Sequence, residues 1–246
     1  MSDLTDRVAL ITGADGGIGA ALAARLGGLG CRLVLHSRDA DGLRKLVADR
    51  GWPPGQVLTA VGDVADPDAV DTAVGTAVER FGQIDYLLNV AGVAYPGGVL
   101  DTSPDIWRRT LDTNLTGYFL TARAVLPHMR AAGSGFVVNM SSIWGRRPSQ
   151  PGAMLAYSVS KWGVEGLTAS LAAEAKPWGV RVCGLVLDKV DTGFRVNMIP
   201  RTGDLTPEQL SRMLSADDVA DATMAVLTSS PRAHVSALEL DAWQWA

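Results

Sequence analysis

A tyrosine and a lysine four residues apart are the side chains best suited to chemistry in this sequence. Tyr157 and Lys161 occur in Tyr-Ser-Val-Ser-Lys, and a spacing of four brings both to one face of a helix. A free tyrosine has a pKa of about 10, and a nearby ammonium lowers it by stabilising the phenolate. The pair therefore suits general acid–base catalysis. The alternative is a surface tyrosine packed on a lysine stem.

A pair of serines follows an apolar run at residues 135–140. A hydroxyl of Ser141 or Ser142 could hydrogen-bond a substrate oxygen. A serine nucleophile would need a histidine base, and His36, His128 and His234 occur in a strand end, a helix and near the C-terminus. The sequence therefore disfavours a serine hydrolase.

A glycine-rich turn, Thr12-Gly-Ala-Asp-Gly-Gly-Ile-Gly19, joins an apolar run to a helical stretch. Glycine lets the backbone turn sharply and lets a diphosphate approach closely. The first turn of the following helix offers free N–H groups and a positive dipole end to that anion. The run predicts a nucleotide site, although glycines also close ordinary strand-to-helix turns.

Strands and helices alternate along the chain, which predicts an α/β fold. Short apolar runs indicate buried strands near 8–11, 33–35, 57–61, 84–89, 135–140, 180–187 and 236–240. Helical periodicity covers 17–29, 39–50, 66–81, 103–131, 153–176 and 217–228. We expect a single doubly wound Rossmann domain over 1–246, with a parallel sheet of about seven strands and helices on both faces. Residues 193–215 indicate a substrate loop with a short helix.

Taken together, these motifs resemble the short-chain dehydrogenase/reductase family, and in particular its 3-oxoacyl-reductase-like members. The matching patterns are Thr-Gly-x-x-x-Gly-x-Gly, Asn-x-Ala-Gly after the fourth strand, Ser-x-x-Gly and Tyr-x-x-x-Lys. The resemblance implies an NAD(P)(H)-dependent oxidoreductase, a ketoreductase that interconverts a ketone and a secondary alcohol by hydride transfer. The implied catalytic residues are Asn114, Ser142, Tyr157 and Lys161.

In the family, the mid-helix asparagine that Asn114 matches helps to hold a water chain from the lysine. On sequence alone Asn114 could instead be a solvated helix residue. The implied coenzyme-binding residues are Gly13, Asp15, Gly17, Ile18, Gly19, Ser37, Arg38, Asp63, Val64, Asn89, Ala91, Gly92, Tyr157, Lys161, Val190 and Thr192.

The turn after the second strand bears on the choice of coenzyme. A carboxylate there would bond the ribose 2′-hydroxyl and repel a 2′-phosphate, whereas an arginine would pair with the phosphate. Ser37 and Arg38 occupy this turn, an arrangement that in the family goes with NADP. The charge of Asp15 in the glycine turn opposes this, and Arg38 could be a solvated turn residue. We favour NADP(H), with NAD(H) possible.

Three departures from the family pattern stand out. Leu187-Asp188 replaces the usual Pro-Gly after the sixth strand, Val90 replaces an asparagine, and the segment from Ser142 to Tyr157 is longer than usual. Asp188 would add a carboxylate near the nicotinamide, which motivates an alternative: a regulatory or low-activity protein that binds the coenzyme. A third option is epimerisation or dehydration with retained coenzyme.

Two sets of residues make opposite predictions about the substrate. Four arginines could ring the substrate mouth and favour an anionic substrate, or could be solvated loop charges: Arg146, Arg147, Arg195 and Arg201. Three apolar residues could form a pocket wall: Trp144, Met154 and Leu155. The sequence leaves substrate polarity open.

Composition narrows the class of protein further. A net charge of -4 and a pI near 5.3 argue against a nucleic-acid partner. No run approaches the ~18 apolar residues of a membrane span, and no signal peptide is evident. Cys31 and Cys183 fit small core residues in a reducing compartment, and no cluster suggests a metal. We expect a cytoplasmic enzyme for a small molecule. Apolar helix faces and the C-terminal run 237–246 suggest a homodimer or homotetramer.

Overall fold

The chain folds around one parallel sheet, as the sequence predicts. The computed structural model describes residues 4–194, 205–230 and 232–244. The sheet has seven strands in the order β3-β2-β1-β4-β5-β6-β7, and every pairing is parallel. The strands are β1 Val8–Thr12, β2 Arg32–Ser37, β3 Val57–Val61, β4 Tyr86–Asn89, β5 Gly135–Ser142, β6 Val180–Leu187 and β7 Ala237–Leu240.

Helices cover both faces of this sheet. They are α1 Gly17–Gly28, α2 Ala40–Arg50, α3 Pro67–Phe81, α4 Pro104–Leu111, α5 Gly117–Ala132, α6 Leu155–Ala175, α7 Pro207–Ser211 and α8 Ala216–Leu227. A π-helical turn spans Asp112–Thr116, and 3-10 turns span Ile143–Gly145 and Lys176–Trp178. Among the described residues, no helix is long and apolar enough to cross a membrane.

The alternation of side chains along β1 shows why the strands are apolar throughout. Ile11 packs with α1 and α8 on one face, and Leu10 packs with α3 and α5 on the other. Both are buried. A strand covered on both faces needs an apolar residue at every position, which is the pattern of a parallel sheet.

The strand order reverses between β1 and β4. In an open α/β sheet this reversal opens a crevice outside the carboxyl ends of the strands. Thr12, Asn89 and Ser142 are the last residues of β1, β4 and β5. The topology therefore brings the glycine turn, the Asn-x-Ala-Gly turn and the serine to one edge.

The stretch predicted as helical over 103–131 is helical without a break, but its Asp112–Thr116 turn is π-helical and separates α4 from α5. Ser103 caps the first part by accepting a hydrogen bond from the Ile106 N–H at 3.2 Å. Gly117 opens the second part, where a Cβ would stand 2.8 Å from Val64 Cγ2. The close approach of Val64 and the bonds of Asn114 (below) fix this irregular turn.

The expected substrate loop at 193–215 contains the short helix α7, as predicted. Its capping box begins at Thr206, which accepts from the Gln209 N–H while the Gln209 side chain accepts from the Thr206 N–H. Residues 195–204 lie outside the described part of the chain.

Candidate active site

Tyr157 and Lys161 lie in the first two turns of α6, and both are buried. The Lys161 Nζ donates to the Met140 carbonyl at 2.7 Å. It lies 5.6 Å from the centre of the Tyr157 ring and 5.2 Å from that of Tyr118. The structure therefore brings the two residues together in the protein interior. The alternative, a surface tyrosine packed on a lysine stem, does not apply.

The prediction that Lys161 lowers the pKa of Tyr157 is wrong, because burial has the larger effect. Burial raises the pKa of Tyr157 to about 12, against a hydrogen bond with Ser142 that lowers it. Burial also lowers the pKa of Lys161 to about 7, against the attraction of Glu165, which raises it. Desolvation outweighs the opposing effect in each case, because both groups are cut off from water. Tyr157 is thus a protonated phenol at neutral pH and can act as a proton donor.

Ser142 is the serine that meets Tyr157. It ends β5, and its Oγ accepts from the Trp144 N–H at 3.3 Å. Its hydroxyl acts on Tyr157 by lowering the pKa of that phenol. Successive strand residues point to opposite faces, so Ser141 points away. The buried Ser141 Oγ has no hydrogen-bond partner within the described residues.

Asn114 lies fully buried in the π-helical turn rather than on a helix surface. Its Oδ1 accepts from the Val93 N–H at 2.8 Å, and its Nδ2 donates to the Val93 carbonyl at 2.9 Å and to Ser160 Oγ at 3.0 Å. Ser160 Oγ in turn donates to the Tyr157 carbonyl at 2.7 Å. Asn114 therefore fastens the turn after β4 to the helix that carries Tyr157 and Lys161.

An apolar wall surrounds the Tyr157 ring. The Trp144 ring meets it edge-on with centroids 6.1 Å apart, and the Phe194 ring is tilted against it at 5.9 Å. Met154 and Ala94 complete the cluster. The sequence indicated Trp144 and Met154, but gave no signal for Phe194.

The two described arginines of the predicted ring are held by carboxylates. Arg146 bonds Glu165 at 2.9 Å and Glu239 at 3.1 Å. Arg147 pairs with Glu239 at 3.6 Å and Asp241 at 3.9 Å. Both guanidinium groups therefore pair with carboxylates of the protein itself, and these contacts give no support to a ring of arginines around the substrate. Arg195 and Arg201 lie outside the described residues.

The glycine turn has the close backbone approaches that a diphosphate cradle requires. Gly13 has φ +63° and a Cβ there would stand 2.9 Å from Ala91 Cα, while a Cβ on Gly19 would stand 2.1 Å from the Gly13 carbonyl oxygen. No side chain caps the first N–H groups of α1, and its first turn has no acidic residue. These groups fit an anion at the positive end of the helix dipole.

Next to this turn, a cavity of about 210 Å³ opens at the ends of β2 and β3. Arg38 pairs with Asp63 at 3.4 Å. Ser37 Oγ donates a hydrogen bond to the Asp15 carboxylate. The cavity is lined by Gly13, Asp15, His36, Ser37, Arg38, Asp39, Gly62, Asp63, Val64, Ala91, Gly92 and Thr113.

The Asn89 side chain faces the protein interior and does not line this cavity. Its Nδ2 donates to Asn139 Oδ1 at 2.9 Å, and its Oδ1 accepts from Thr121 Oγ1 at 2.7 Å. Thr12 shapes the turn instead: its Oγ1 accepts from the N–H groups of Val90 and Ala91 at 2.9 and 3.1 Å. Because the donors are backbone N–H groups, the turn keeps these bonds although Val90 replaces the asparagine of the family pattern.

After β6 the chain returns to the glycine turn. Val190 forms a bridge with Leu214, and a Cβ on Gly17 would stand 3.2 Å from Thr192 Cβ. Thr192 therefore lies against the glycine turn.

Asp188 is occupied by the C-terminal segment. Its carboxylate contacts Lys189 Nζ at 3.2 Å and the Ala242 N–H at 3.4 Å, and its own N–H donates to the Leu240 carbonyl at 3.0 Å. Ala242 is 54 residues away in sequence, so the sequence could not indicate this partner. Asp188 thus links the end of β6 to the segment around Ala242.

Comparison with known proteins gives a family match and a similar relative. Residues 7–202 match the family described as short chain dehydrogenase. Trans-4-hydroxycyclohexanecarboxylate dehydrogenase of Sinomonas cyclohexanicum is 36% identical over 230 residues, which cover 87% of this chain and 88% of that one.

Two solved structures are similar over nearly the whole chain. Levodione reductase has a TM-score of 0.89 and 30% identity, covering 98% of both chains. A metagenomic short-chain oxidoreductase in complex with NADP has a TM-score of 0.81 and 33% identity, covering 97% of this chain and 98% of that one.

Proposed function

The chain belongs to the short-chain dehydrogenase family and is an NAD(P)-dependent oxidoreductase, and from this premise we propose that it reduces a ketone to a secondary alcohol, reversibly, with Tyr157 as the general acid. The observation that carries the proposal is the burial of Tyr157 in an apolar wall, with the Lys161 Nζ 5.6 Å from the centre of its ring. Relatives that act on a hydroxycyclohexane carboxylate and on levodione support a carbonyl or alcohol substrate.

The reaction needs a hydride at the carbonyl carbon and a proton at the carbonyl oxygen. The bound nicotinamide coenzyme supplies the hydride. Tyr157 donates the proton, since its hydroxyl is protonated at neutral pH. Proton transfer by a positioned side chain contributes about 10²–10⁴-fold to a rate. Ser142 orients the carbonyl oxygen toward the Tyr157 hydroxyl.

Lys161 and Asn114 act on Tyr157 rather than on the carbonyl. In its ammonium form Lys161 stabilises the phenolate left after proton transfer. Asn114 fixes the start of α6 through Ser160 and supports resupply of the proton. The apolar wall of Trp144, Phe194 and Met154 excludes water from the reacting carbonyl.

The coenzyme fits the edge of the sheet between the glycine turn and the cavity. The bare N-terminus of α1 would hold the diphosphate, and Asp63 and Val64 line the adenosine end. We propose NADP(H) as the preferred coenzyme. Arg38 supports this, because its guanidinium lies in the cavity beside Ser37, where a 2′-phosphate could pair with it.

Coupled measurement of coenzyme and product tests this function. Purified protein is mixed with NADPH or NADH and a panel of neutral and anionic ketones. We expect one molecule of alcohol formed for each molecule of reduced coenzyme oxidised. Tight coenzyme binding by calorimetry without hydride transfer to any ketone would instead support the regulatory alternative. Substrate conversion without net coenzyme oxidation would indicate epimerisation or dehydration.

A further inference from the structure

Tyr118 is a buried phenol for which the proposed mechanism has no role. It is the second residue of α5, and its side chain reaches the central sheet. Its hydroxyl donates to the Met140 carbonyl of β5 at 3.3 Å. Burial raises the pKa of Tyr118, so the phenol is uncharged at neutral pH. The ring is therefore a neutral group held at both ends, by its own helix and by β5.

The carbonyl that accepts from Tyr118 also accepts from Lys161. The Lys161 Nζ donates to the Met140 carbonyl at 2.7 Å, and it lies over the Tyr118 ring, 5.2 Å from the ring centre. It also lies over the Tyr157 ring, at 5.6 Å. A cation within about 6 Å of a ring centre is attracted by the face of that ring. Rings from two helices, α5 and α6, therefore both contact the ammonium.

The Tyr118 ring compensates part of what Lys161 loses on burial. A buried lysine has no hydration to stabilise its charged form, and here burial lowers the pKa of Lys161 to about 7. The negative face of an aromatic ring attracts a cation more strongly where water is excluded. Because the ring has no basic group there, it supports the ammonium without competing for its proton.

The carboxylate that also acts on Lys161 is paired with another residue. Glu165 lies one turn further along α6, and its attraction raises the pKa of Lys161. Its Oε2 accepts from Arg146 Nε at 2.9 Å, and Arg146 in turn bonds Glu239 of β7. Among the described residues, the groups in direct contact with the ammonium are the Met140 carbonyl and the two rings.

We propose that Tyr118 is a positioning residue of the reaction: its ring face, fixed by α5 and by the hydroxyl bond to Met140, holds the Lys161 ammonium beside Tyr157. An ammonium at that place stabilises the phenolate that Tyr157 becomes after proton transfer. The inference rests on the proposed function for its effect on turnover, whereas the contact between Tyr118 and Lys161 can be tested without any substrate.

The test measures the titration of Lys161 directly. The chain has four lysines, Lys45, Lys161, Lys176 and Lys189, so lysine labelled with ¹³C at Cε gives few NMR signals. Lys161→Met identifies the Lys161 signal by its loss. In Tyr118→Leu, which removes the ring, we expect the pKa of Lys161 to fall by about 0.4–1.5, the effect of losing one cation–π contact. Tyr118→Phe keeps the ring and should titrate close to the wild type.

A second series of variants keeps the packing of the ring. Phenylalanine and ring-fluorinated phenylalanines incorporated at position 118 have nearly the same shape, but each fluorine weakens the negative potential of the ring face. The pKa of Lys161 should fall stepwise with the number of fluorines. This series gives the result if Tyr118→Leu does not fold, or if water enters the space that the smaller side chain leaves.

The matched control is Phe136→Leu, which removes an equally buried ring of β5 that lies over Arg181 instead of Lys161. It should leave the Lys161 titration unchanged. With substrate, Tyr118→Leu should lower kcat several-fold and move the high-pH limb of alcohol oxidation to lower pH, while KM changes little. Tyr118→Phe should restore both the rate and the pH profile.

A Lys161 titration that is the same throughout the fluorinated series overturns the inference. A Tyr118→Phe protein that titrates like Tyr118→Leu overturns it as well, because the hydroxyl rather than the ring face would then act on Lys161. So does a shifted titration with an unchanged pH profile of turnover. If the wild type turns over no carbonyl at all, the proposed function fails and the effect of Tyr118 on turnover fails with it, while the titration still reports the contact between Tyr118 and Lys161.

Discussion

Lys161 is held in the site at a cost to stability. A buried lysine loses hydration in its charged form, and here burial lowers its pKa from 10.5 to about 7. Active sites commonly retain such unfavourable groups because the chemistry requires them. Tyr157, with its raised pKa, is the complementary case: burial keeps it neutral and able to donate.

Replacing Lys161 with methionine should stabilise the fold while abolishing turnover. Below pH about 7 the folded protein must keep a buried ammonium, so the variant should gain about 1–3 kcal/mol there, after the lost Met140 hydrogen bond. Between pH 7 and 10.5 the unfolded lysine binds a proton that the folded one has released. Wild-type stability from this group therefore rises with pH in that window, and the gain shrinks.

Urea unfolding of the wild type and Lys161→Met at pH 6 and pH 9 checks this. A gain that is equal at both pH values, or a variant less stable than the wild type at pH 6, would contradict the burial cost of Lys161.

Arg38 should determine coenzyme preference. A hydrogen bond to a charged group contributes about 1.5–3 kcal/mol, so Arg38→Leu should weaken NADPH binding by about 10–100-fold. NADH, which lacks the 2′-phosphate, should bind about as before. Fluorescence titration with both coenzymes makes the comparison. Equal weakening of both would show that Arg38 supports the cavity, through its contact with Asp63 at 3.4 Å, rather than the phosphate.

Among the residues of the site, the sequence identified those whose type and spacing form a motif. Tyr157 and Lys161 on one helix face and the glycines before α1 were predicted from spacing, and the structure brings them to one edge. Partners that are distant in sequence could not be predicted. Arg146 and Glu239 are 93 residues apart, and Asp188 and Ala242 are 54 apart. Asn89, predicted as a coenzyme contact, has its side chain in a buried network instead.

The same holds for the helices and strands: those set by local sequence patterns were predicted, and one set by tertiary contacts was not. Strands β1, β3 and β6 follow from their apolar runs and lie close to their predicted bounds. The π-helical turn at Asp112–Thr116 does not follow from helical periodicity, because its cause is tertiary: Asn114 bonds the backbone of Val93, and Val64 packs on Gly117.

The first turn of α1 should tolerate no side chain at Gly19. A Cβ there would stand 2.1 Å from the Gly13 carbonyl oxygen, so Gly19→Ala must distort the turn. We expect coenzyme affinity to fall by at least about tenfold, which corresponds to about 1.4 kcal/mol. Gly28→Ala, in the last turn of the same helix with no atom within 4 Å of the added Cβ, is the matched control. It should bind normally and be slightly more stable.

Calorimetry with NADPH distinguishes the two variants of α1. Normal coenzyme binding by a folded Gly19→Ala protein would contradict the assignment of the diphosphate to this turn.

At the scale of the whole molecule, α5 and α6 expose large apolar side chains. Phe119 and Trp162 are 48% and 50% exposed. Such residues in groups mark surfaces that bind other proteins. Together with the family resemblance, they support our prediction of a homodimer or homotetramer.

Light scattering tests the assembly. The wild type should have at least twice the mass of one 25.9 kDa chain, and Trp162→Glu should reduce that mass because it places a charge in an apolar contact. Trp243→Glu tests whether the predicted C-terminal contact contributes to the assembly. Trp243 is 93% exposed in the single chain. A monomeric wild type would contradict the prediction.

The role of Tyr157 as proton donor is tested by the rate of hydride transfer in a single turnover by Tyr157→Phe. The matched control is Tyr86→Phe, in β4. If the Tyr157 hydroxyl donates the proton, the rate should fall by about 10²–10⁴-fold in protein saturated with NADPH. A Tyr157→Phe protein that transfers hydride as fast as the wild type and Tyr86→Phe would contradict the central claim.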